Sequence, residues 1–328
     1  MLFDFGTGLF GPLPNFIWWL PAIAFMLDLL WGDPAFPPHP VRGLGKILDM
    51  LEKPARGWIG ERVGGIGAVF VLCGATVLLV EAFLALPTGL SLLAGVYLSW
   101  SGLALGALVR ECRKALGVIE SGDLNAARRA VGMLVSRRTD TMDQRDLCRS
   151  LAETMSENFN DAFVAPFFWL CVGGPVGLWI YKAVSTVDSM WGYKTPRWRR
   201  LGWFGARLDD VLAFLPARLS VVFLYLAGMF SGMGAWPGYA TIRRQAGTMS
   251  SPNAGWPMAA AAWIMGASMG GPTPYDEGMV DKPTLGPAGP AWTPEHLRGL
   301  ASLVRNAGII GACILWGVSV GIFFMLEG

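Results

Sequence analysis

The chain has 328 residues, of which 15% are charged and 53% hydrophobic, and its net charge is +2. Soluble domains carry about a quarter charged residues, so this composition argues against a soluble protein. The small net charge and the lack of long basic runs exclude a typical nucleic-acid-binding surface. No Lys or Arg precedes Arg42, lies between Arg62 and Arg110, or follows Arg305. Charged blocks that alternate with apolar blocks predict a polytopic membrane protein.

The apolar segments, taken in chain order, predict about five membrane spans, because crossing a bilayer takes about 20 apolar residues. Five segments qualify, and the fourth of them is interrupted by a proline and an arginine: residues 15–31, 66–86, 90–109, 211–230 and 304–326. Residues 256–271 form a shorter segment rich in small side chains, which is typical of close helix packing rather than of a lipid-facing span.

Residues 162–181 are also apolar, but Gly173-Gly174-Pro175 interrupts them. Basic residues favour the cytoplasmic side of a membrane, and residues 33–65, 110–161 and 182–210 carry five, nine and six of them. All three can face the cytoplasm, with the N-terminus outside, only if residues 162–181 enter and leave on one side. We therefore predict a re-entrant hairpin bent at the Gly-Gly-Pro break. The side of residues 232–302 stays open.

These segments predict an all-α fold in which residues 1–328 form a single membrane-embedded catalytic domain. It would contain about five spans, broken or re-entrant helices, and a polar site on the cytoplasmic side. The polar residues of that site fall into four clusters.

The first cluster follows the first span and combines Asp33, His39 and Arg42 with four nearby prolines. Proline fixes the backbone and stops a helix from continuing, so this loop is expected to be rigid. A helix exit with solvated charges is one interpretation. The other is a functional site in which His39 moves protons and Arg42 binds a phosphate or carboxylate group.

The second cluster is a carboxylate ladder of Glu153, Glu157 and Asp161 on a helix predicted over residues 143–161. Spacing by four residues places these side chains on one helix face, with Asn158 nearby. Like charges at this spacing destabilise a helix, and unpaired carboxylates beside apolar residues are costlier still. Mg²⁺ would offset that cost, so the ladder predicts a metal site, with solvated surface acids as the alternative. Three residues upstream fit either a phosphate site or a solvated turn: Arg137, Arg138 and Asp140.

The third cluster places Asp188, Lys194 and Arg197 in a short segment that also carries hydroxyl side chains, glycine and proline. The nearby tryptophans are expected at a membrane interface in any case. The acid and the two bases are harder to explain without a ligand. Three further residues fit either a simple helix end or a metal site or ion pair at the mouth of a span: Arg207, Asp209 and Asp210.

The fourth cluster contains Ser251 and Asn253, which stand just before an apolar helix with Pro257 near its start. Such residues cap a helix N-terminus, and the same position also suits anion binding. The sequence does not decide between the two interpretations. No phosphate loop, dinucleotide fingerprint, zinc-protease motif or serine-hydrolase motif is present.

Seven short motifs, in this order, resemble the CobD/CbiB family of cobalamin biosynthesis, the adenosylcobinamide-phosphate synthases. The resemblance runs from about residue 27 to the C-terminal span. The motifs that carry it are Gly32-Asp33-Pro34, His39-Pro40-Val41-Arg42, Glu157-Asn158-Phe159-Asn160-Asp161, Thr186-Val187-Asp188-Ser189-Met190, Ala206-Arg207-Leu208-Asp209-Asp210, Pro216-Ala217-Arg218 and Ser251-Pro252-Asn253-Ala254-Gly255.

The resemblance implies a ligase that forms an amide (C–N) bond with ATP and Mg²⁺. It would join aminopropanol, or its phosphate, to a propionate carboxylate of the corrinoid adenosylcobyric acid, giving adenosylcobinamide or its phosphate. It implies a multi-pass protein of a bacterial plasma membrane, surrounded by lipid, with its site facing the cytoplasm. A homo-oligomer or a complex with other corrinoid enzymes is compatible with the sequence, which demands neither, and no nucleic-acid partner is expected.

The resemblance also implies roles for individual residues. The candidate catalytic residues are Asp33, His39, Glu157 and Asp161. The candidate metal ligands are Glu153, Glu157, Asp161, Asp188, Asp209 and Asp210. The candidate substrate and ATP ligands are Arg42, Asn158, Lys194, Arg197, Arg207, Ser251 and Asn253.

Two other functions are alternatives. A Mg²⁺-dependent membrane phosphotransferase acting on a lipid phosphate would use similar residues, although it would usually concentrate its acids in a DDxxD-like run, which this sequence lacks. A corrinoid transporter would use a broken helix such as the one predicted at Gly173–Pro175, but transporters bind near the bilayer midplane. Here the charges cluster at the ends of the spans.

Overall fold

The computed structural model describes residues 7–8, 11–12, 17–34, 39–57, 60–234, 236–275 and 278–327. It divides into two compact units, each built from separate stretches of chain. Unit 1 comprises Met1–Ala104, Ala165–Leu212 and Ile314–Gly328, and unit 2 comprises Leu105–Val164 and Ala213–Cys313. Whether residues 1–328 act as a single catalytic domain stays a prediction.

The described residues are mostly helical, as predicted. The helices, in chain order, are α1 (Leu20–Trp31), α2 (Pro40–Gly57), α3 (Glu61–Leu84), α4 (Thr88–Trp100), α5 (Leu105–Glu120), α6 (Leu124–Gly132), α7 (Gln144–Phe159), α8 (Ala165–Trp191), α9 (Trp203–Leu212), α10 (Phe214–Phe230), α11 (Tyr239–Ala246), α12 (Gly255–Met265) and α13 (Pro294–Glu327). A 3₁₀ turn, Ile17–Trp19, precedes α1, and a π-helical turn, Asn160–Val164, joins α7 to α8. Two short antiparallel strand pairs complete the described structure: β1 (Thr7–Gly8) with β2 (Gly11–Pro12), and β3 (Met269–Tyr275) with β4 (Gly278–Leu285).

Three helical stretches of the described chain are long and apolar enough to cross a membrane: Glu61–Leu84, Gln144–Trp191 and Pro294–Met325. The number rises to five if two bent helix pairs, α4 with α5 and α9 with α10, each count as one span. This range agrees with the number of spans predicted from the sequence. The N-terminal segment differs, because α1 has only 12 residues, well short of the ~20 that a bilayer requires. Residues 15–16 of that predicted span lie outside the described residues.

The span predicted over residues 90–109 is not one continuous helix. It breaks between Trp100, where α4 ends, and Leu105, where α5 begins. Gly102 lies in this break, where a β-carbon would come 2.6 Å from a methyl group of Leu178 on α8. The close approach of α8 favours glycine here, and hydropathy alone does not reveal it. The span predicted over residues 211–230 is α10 from Phe214 onward, and the helix continues through Pro216 and Arg218, which the sequence predicted to interrupt it.

The predicted break in residues 162–181 is present. Gly173 and Gly174 have non-helical backbone angles within α8, and Gly174 has a positive φ of 58°. A β-carbon on Gly177 would lie 2.6 Å from the carbonyl oxygen of Trp169. In a continuous helix, residues eight apart are separated by about 12 Å along the axis. The chain therefore bends back sharply at the predicted place, while the location of both arms on one side of the membrane stays a prediction.

The all-α prediction is wrong for residues 269–275 and 278–285, which form the paired strands β3 and β4 (the β3–β4 hairpin) in unit 2. Its sequence is rich in glycine and proline, which weaken both helix and strand signals. Gly270 and Gly271 have positive φ values of 89° and 83°, which glycine adopts without strain. The preceding α12, by contrast, agrees with the sequence. Its 11 residues are mostly buried, as predicted for a packed helix that does not face lipid.

Candidate functional site

The carboxylate ladder of unit 2 lies on α7 and the π-helical turn after it. Asp143 begins α7 as its N-cap, because its Oδ1 accepts the backbone N–H of Asp146 at 2.8 Å. Glu153 and Glu157 are one helical turn apart, but Asp161 falls in the π-helical turn, where the regular spacing ends. Glu153 is completely buried, whereas Glu157 and Asp161 are half-buried. The three carboxylates therefore occupy different environments.

Glu153 is held by groups of the protein itself. Its Oε2 lies 2.5 Å from Nη2 of Arg137, whose side chain is only 5% exposed. Its Oε1 accepts the backbone N–H of Gly270 in β3 at 2.8 Å. Arg149 lies one turn earlier on α7, and its Nε is 4.0 Å from Glu153 Oε1. The metal-ligand role predicted for Glu153 is at odds with this arrangement, because Arg137 already compensates its charge.

The remaining acids of the ladder are more open. Asp161 Oδ1 accepts a hydrogen bond of 2.7 Å from the Asn160 side chain. The predicted ligand Asn158 donates to the backbone oxygen of Thr154 at 2.9 Å. The positive charges of Lys282 and Arg137 act on the carboxylate of Glu157. Glu157 is therefore the ladder acid with positive charge beside it and with part of its surface accessible.

The first predicted cluster is a histidine–aspartate pair in unit 1. His39 Nε2 lies 2.8 Å from Asp33 Oδ1, and His39 Nδ1 accepts the backbone N–H of Val41 at 3.3 Å. Because Nδ1 is an acceptor, the ring proton is assigned to Nε2, which donates to Asp33. His39 can accept another proton only by losing its contact with Val41. Pro37 and Pro38, part of the predicted rigid loop, lie outside the described residues.

Two further contacts define the surroundings of this pair. Trp100 Nε1 donates to the carbonyl oxygen of Gly32 at 2.7 Å, which ties the end of α4 to the start of the motif. Gly32 ends α1 with a positive φ of 70°. Arg42, predicted to bind an anion, is exposed in the first turn of α2. The structure thus brings Asp33 and His39 together, with Arg42 on the adjoining helix.

A second polar group in unit 1, the Asp188 cluster, consists of Asp188, Lys194, Arg207 and Asp210. The half-buried carboxylates of Asp188 on α8 and Asp210 on α9 are close enough for their charges to repel. Arg207 and Lys194 both attract Asp210, and Arg207 Nη1 lies 3.5 Å from its Oδ2. Two carboxylates that repel each other beside two exposed cations suit a bound cation and phosphate. Asp209 is half-buried on the same helix as Asp210.

Arg197, predicted as a phosphate ligand, is instead engaged at the surface of unit 1. Its Nη2 donates to Glu52 at 2.9 Å, and its guanidinium lies 4.5 Å from the ring centre of Trp198. Burial tends to raise the pKa of Glu52, but hydrogen bonds from Arg197 and Arg56 hold that pKa below its usual value. Arg197 is therefore already paired with the carboxylate of Glu52, rather than free for a phosphate.

The fourth cluster forms the turn before α12 in unit 2. Ser251 Oγ accepts the backbone N–H groups of Asn253 and Ala254, both at 3.3 Å. The Asn253 side chain is buried and accepts a 2.7 Å hydrogen bond from Arg218 Nη1. The guanidinium of Arg218 lies 3.6 Å from the ring centre of Phe214 and 4.5 Å from that of Trp256. Ser251 thus has a turn-forming role, and Arg218 joins two separate motifs.

Sequence reasoning did not single out Arg218 or Lys282 as site residues. Arg218 contacts Asn253 across 35 positions, and Lys282 comes from the hairpin that was not predicted. No local spacing reveals contacts of this kind. The sequence pointed to Arg218 only as a member of the Pro216-Ala217-Arg218 motif.

Whether a metal ion could bind is judged from the side chains that could coordinate it. No group of three His, Cys, Asp or Glu side chains forms a metal site within the part of the chain that the structure describes. Mg²⁺ usually takes only one or two protein carboxylates and completes its coordination with water and substrate phosphates. The Asp188–Asp210 pair fits that requirement in unit 1, and Glu157 with Asp161 offers carboxylate oxygens in unit 2.

Helices able to cross a bilayer, with polar clusters on and beside them, are the features of a polytopic membrane enzyme or transporter. The sequence pattern of the CobD/Cbib protein family matches residues 21–304, so the chain belongs to this family. It is 38% identical to the cobalamin biosynthesis protein CobD of Geobacter metallireducens over 271 residues, 80% of this chain and 84% of the relative.

Two longer matches carry the same name. The chain is 33% identical to the cobalamin biosynthesis protein CobD of Listeria monocytogenes over 312 residues, 92% of this chain and 98% of the relative. It is 36% identical to that of Rhodobacter capsulatus over 312 residues, 91% and 97% of the two chains. The protein therefore has a role in cobalamin biosynthesis. No solved structure matches it.

Proposed function

We propose that this protein is an ATP- and Mg²⁺-dependent ligase, which joins aminopropanol or its phosphate to a propionate carboxylate of adenosylcobyric acid. Its product would be adenosylcobinamide or adenosylcobinamide phosphate. The family assignment supports the pathway, and the Asp188 cluster supports the chemistry. That cluster combines two mutually repelling carboxylates with two cations, which is a donor set suited to a metal-bound phosphate.

The proposed reaction requires activation of a carboxylate before an amine can attack it. Bound Mg²⁺–ATP would supply the phosphoryl group for that activation and leave as ADP, and attack of the amine on the activated carboxylate would release phosphate. Asp188 and Asp210 would hold the metal, with Asp209 on the same helix, while Lys194 and Arg207 would neutralise phosphate charge. Arg197 would serve substrate binding only after leaving Glu52, which holds it at 2.9 Å.

Within unit 2, Glu157 and Asp161 are proposed as metal-binding or proton-accepting carboxylates, with Asn158 next to Glu157 in the chain. Ser251 and Asn253 would act through the turn that they form, since the Asn253 side chain already contacts Arg218. In unit 1, Arg42 is exposed and suits a carboxylate or phosphate of the substrate. His39 would accept the amine proton only after its contact with Val41 opens.

The proposal includes the setting of the reaction. The protein would lie in a bacterial plasma membrane in contact with lipid, and its polar site would face the cytoplasm, where ATP is available. The corrinoid and the amine would be its small-molecule partners. Assembly as a homo-oligomer or with other corrinoid enzymes belongs to the same proposal.

A corrinoid transporter is the second candidate, favoured by the sharp break at Gly173–Gly174. The test uses purified full-length protein with ATP, Mg²⁺, adenosylcobyric acid and either aminopropanol or its phosphate, and mass spectrometry of the corrinoid. We expect a corrinoid whose gain in mass corresponds to one amide-linked amine. Whichever of aminopropanol and its phosphate gives this product is the amine substrate. Corrinoid uptake into protein-containing vesicles without amide product would instead support a transporter. Phosphate transfer to lipid would support a phosphotransferase.

A further inference from the structure

The β3–β4 hairpin is fixed along α7 and the segment before it. Gly270 donates its backbone N–H to Glu153 at 2.8 Å, and the carbonyl oxygen of Pro272 accepts from Arg149 Nη2 at 3.0 Å. The carbonyl oxygen of Pro274 accepts the backbone N–H of Arg138 at 3.2 Å. Pro272 and Pro274 have no N–H to donate, which suits the outer edge of a two-stranded hairpin. Three polar contacts at alternate residues therefore set the position of β3 against unit 2.

This docking carries a lysine towards the carboxylate ladder. Lys282 of β4 is paired with Gly271 of β3, and its Nζ lies 5.2 Å from the ring centre of Tyr275. The side chain is half-buried, unlike its exposed neighbour Asp281. Its positive charge acts on the carboxylate of Glu157. The hairpin thus brings Lys282 close enough for its charge to act on the more open acid of α7.

Arg137 supplies a second cation at the same place. One of its terminal nitrogens, Nη2, pairs with Glu153 at 2.5 Å, and the side chain is 95% buried. The other, Nη1, is buried and has no hydrogen-bond partner among the described residues. A buried charged donor without an acceptor is costly, so a ligand oxygen at this position would be stabilised. The charge of Arg137 also acts on Glu157, so both cations influence the same carboxylate.

We propose that Arg137 and Lys282 bind the phosphate group of a reactant beside Glu157, in a subsite formed by α7 and the β3–β4 hairpin. A phosphate offers several strong acceptor oxygens, so one group can satisfy both Arg137 Nη1 and Lys282 Nζ. Glu153 balances the remaining charge of Arg137. Glu157 stands where a metal ion bridging to the phosphate, or an ammonium group of the same ligand, would be attracted.

This inference deepens the proposed ligase and rests on it for the identity of the ligand, but not for the existence of the subsite. Two reactants of that ligase carry the required chemistry. One is the nucleotide, and the other is the phosphorylated form of the amine. A neutral hydroxyl in place of the phosphate would offer a single uncharged acceptor oxygen, which could not pair with both cations.

Isothermal titration calorimetry of the purified full-length protein in detergent tests the subsite without any ligation. The ligands are aminopropanol phosphate, ADP, aminopropanol and inorganic phosphate, each with and without Mg²⁺. The variant Lys282→Ala should raise the Kd of the phosphate-bearing ligand about tenfold, and Lys282→Arg should restore most of the affinity. The matched control is Arg244→Ala, which removes an exposed cation from α11 of the same unit and should leave every Kd unchanged.

The ligand that responds to Lys282→Ala identifies the source of the phosphate. Equal affinity of Lys282→Ala and wild type for all four ligands would overturn the subsite, whether or not the protein ligates. Binding that depends on Lys282 in a protein with no ligase activity would support the subsite and contradict the proposed function. Thermal unfolding of each variant, expected to match wild type, excludes loss of binding through misfolding.

Discussion

A carboxylate with no exposed surface, such as Glu153, is stable only where its charge is paired and its oxygens are hydrogen-bonded. Arg137 and the Gly270 N–H provide both conditions. Glu157, four residues away on the same helix, has neighbouring charges but remains half-buried. The two glutamates are equivalent in sequence spacing, yet one serves packing and the other is available to a ligand.

The variant Glu153→Gln tests this distinction. It should lower the free energy of unfolding by about 3 kcal/mol, because removing one partner of a buried ion pair leaves Arg137 uncompensated. Asp146→Asn on the same helix is the control, since its partly exposed pair with Arg149 is expected to contribute at most about 1 kcal/mol. Thermal unfolding in detergent measures both variants. Equal stability of the two would contradict a structural role for Glu153.

The Asp188 cluster makes a separate prediction about the metal. Asp188→Asn should raise the Mg²⁺ concentration needed for half-maximal ligation about tenfold or more, because it removes one of two carboxylates near the proposed cation. Asp49→Asn removes an exposed acid from α2 of the same unit and should leave the Mg²⁺ dependence unchanged. Ligation rates measured across a Mg²⁺ titration give the answer. An unchanged titration for Asp188→Asn would remove Asp188 from the metal site.

Residue-level prediction from the sequence was most successful where the contacts are local. Asp33 and His39, chosen from one short motif, do form a pair. Arg137 was left between a phosphate site and a solvated turn, and the structure shows it buried against Glu153. Burial of that kind depends on the docked hairpin, so neither composition nor spacing could reveal it.

At the scale of elements, the sequence predicts one of the breaks in the apolar helices and misses another. The Gly-Gly-Pro break in α8 was predicted because proline and glycine interrupt helices through their own backbone chemistry. The break at Gly102 and the β3–β4 hairpin were not predicted, since both depend on contacts with distant elements. The glycine- and proline-rich sequence of the hairpin has little strand preference of its own, and its contacts with α7 hold the strands in place.

Gly177 provides a test of the bend in α8. A side chain there would meet the carbonyl oxygen of Trp169, so Gly177→Ala should destabilise the protein by about 1–3 kcal/mol through overpacking. Gly173→Ala is the control, because no atom lies within 4 Å of its β-carbon position and its φ is negative. The midpoints of thermal unfolding compare the two variants. A Gly177→Ala protein as stable as Gly173→Ala would show that the chain does not bend back this closely.

At the scale of the whole molecule, composition and charge distribution were enough to predict a polytopic helical membrane protein. The sequence pattern of the CobD/Cbib family then gives its pathway, cobalamin biosynthesis. The division into two units from non-contiguous segments was not predicted, because it arises from long-range packing. The orientation in the membrane, with basic segments in the cytoplasm, stays a prediction of the positive-inside rule.

The central claim is that this protein couples ATP consumption to formation of an amide bond on a corrinoid carboxylate. The most direct measurement counts both products in one reaction of the purified protein with adenosylcobyric acid, the amine substrate, ATP and Mg²⁺. We predict one nucleotide hydrolysed for each amide formed, no amide when Mg²⁺ is chelated, and neither product with Glu157→Ala at unchanged stability. Amide formation without ATP, or none by stable wild-type protein supplied with every substrate, would contradict the claim.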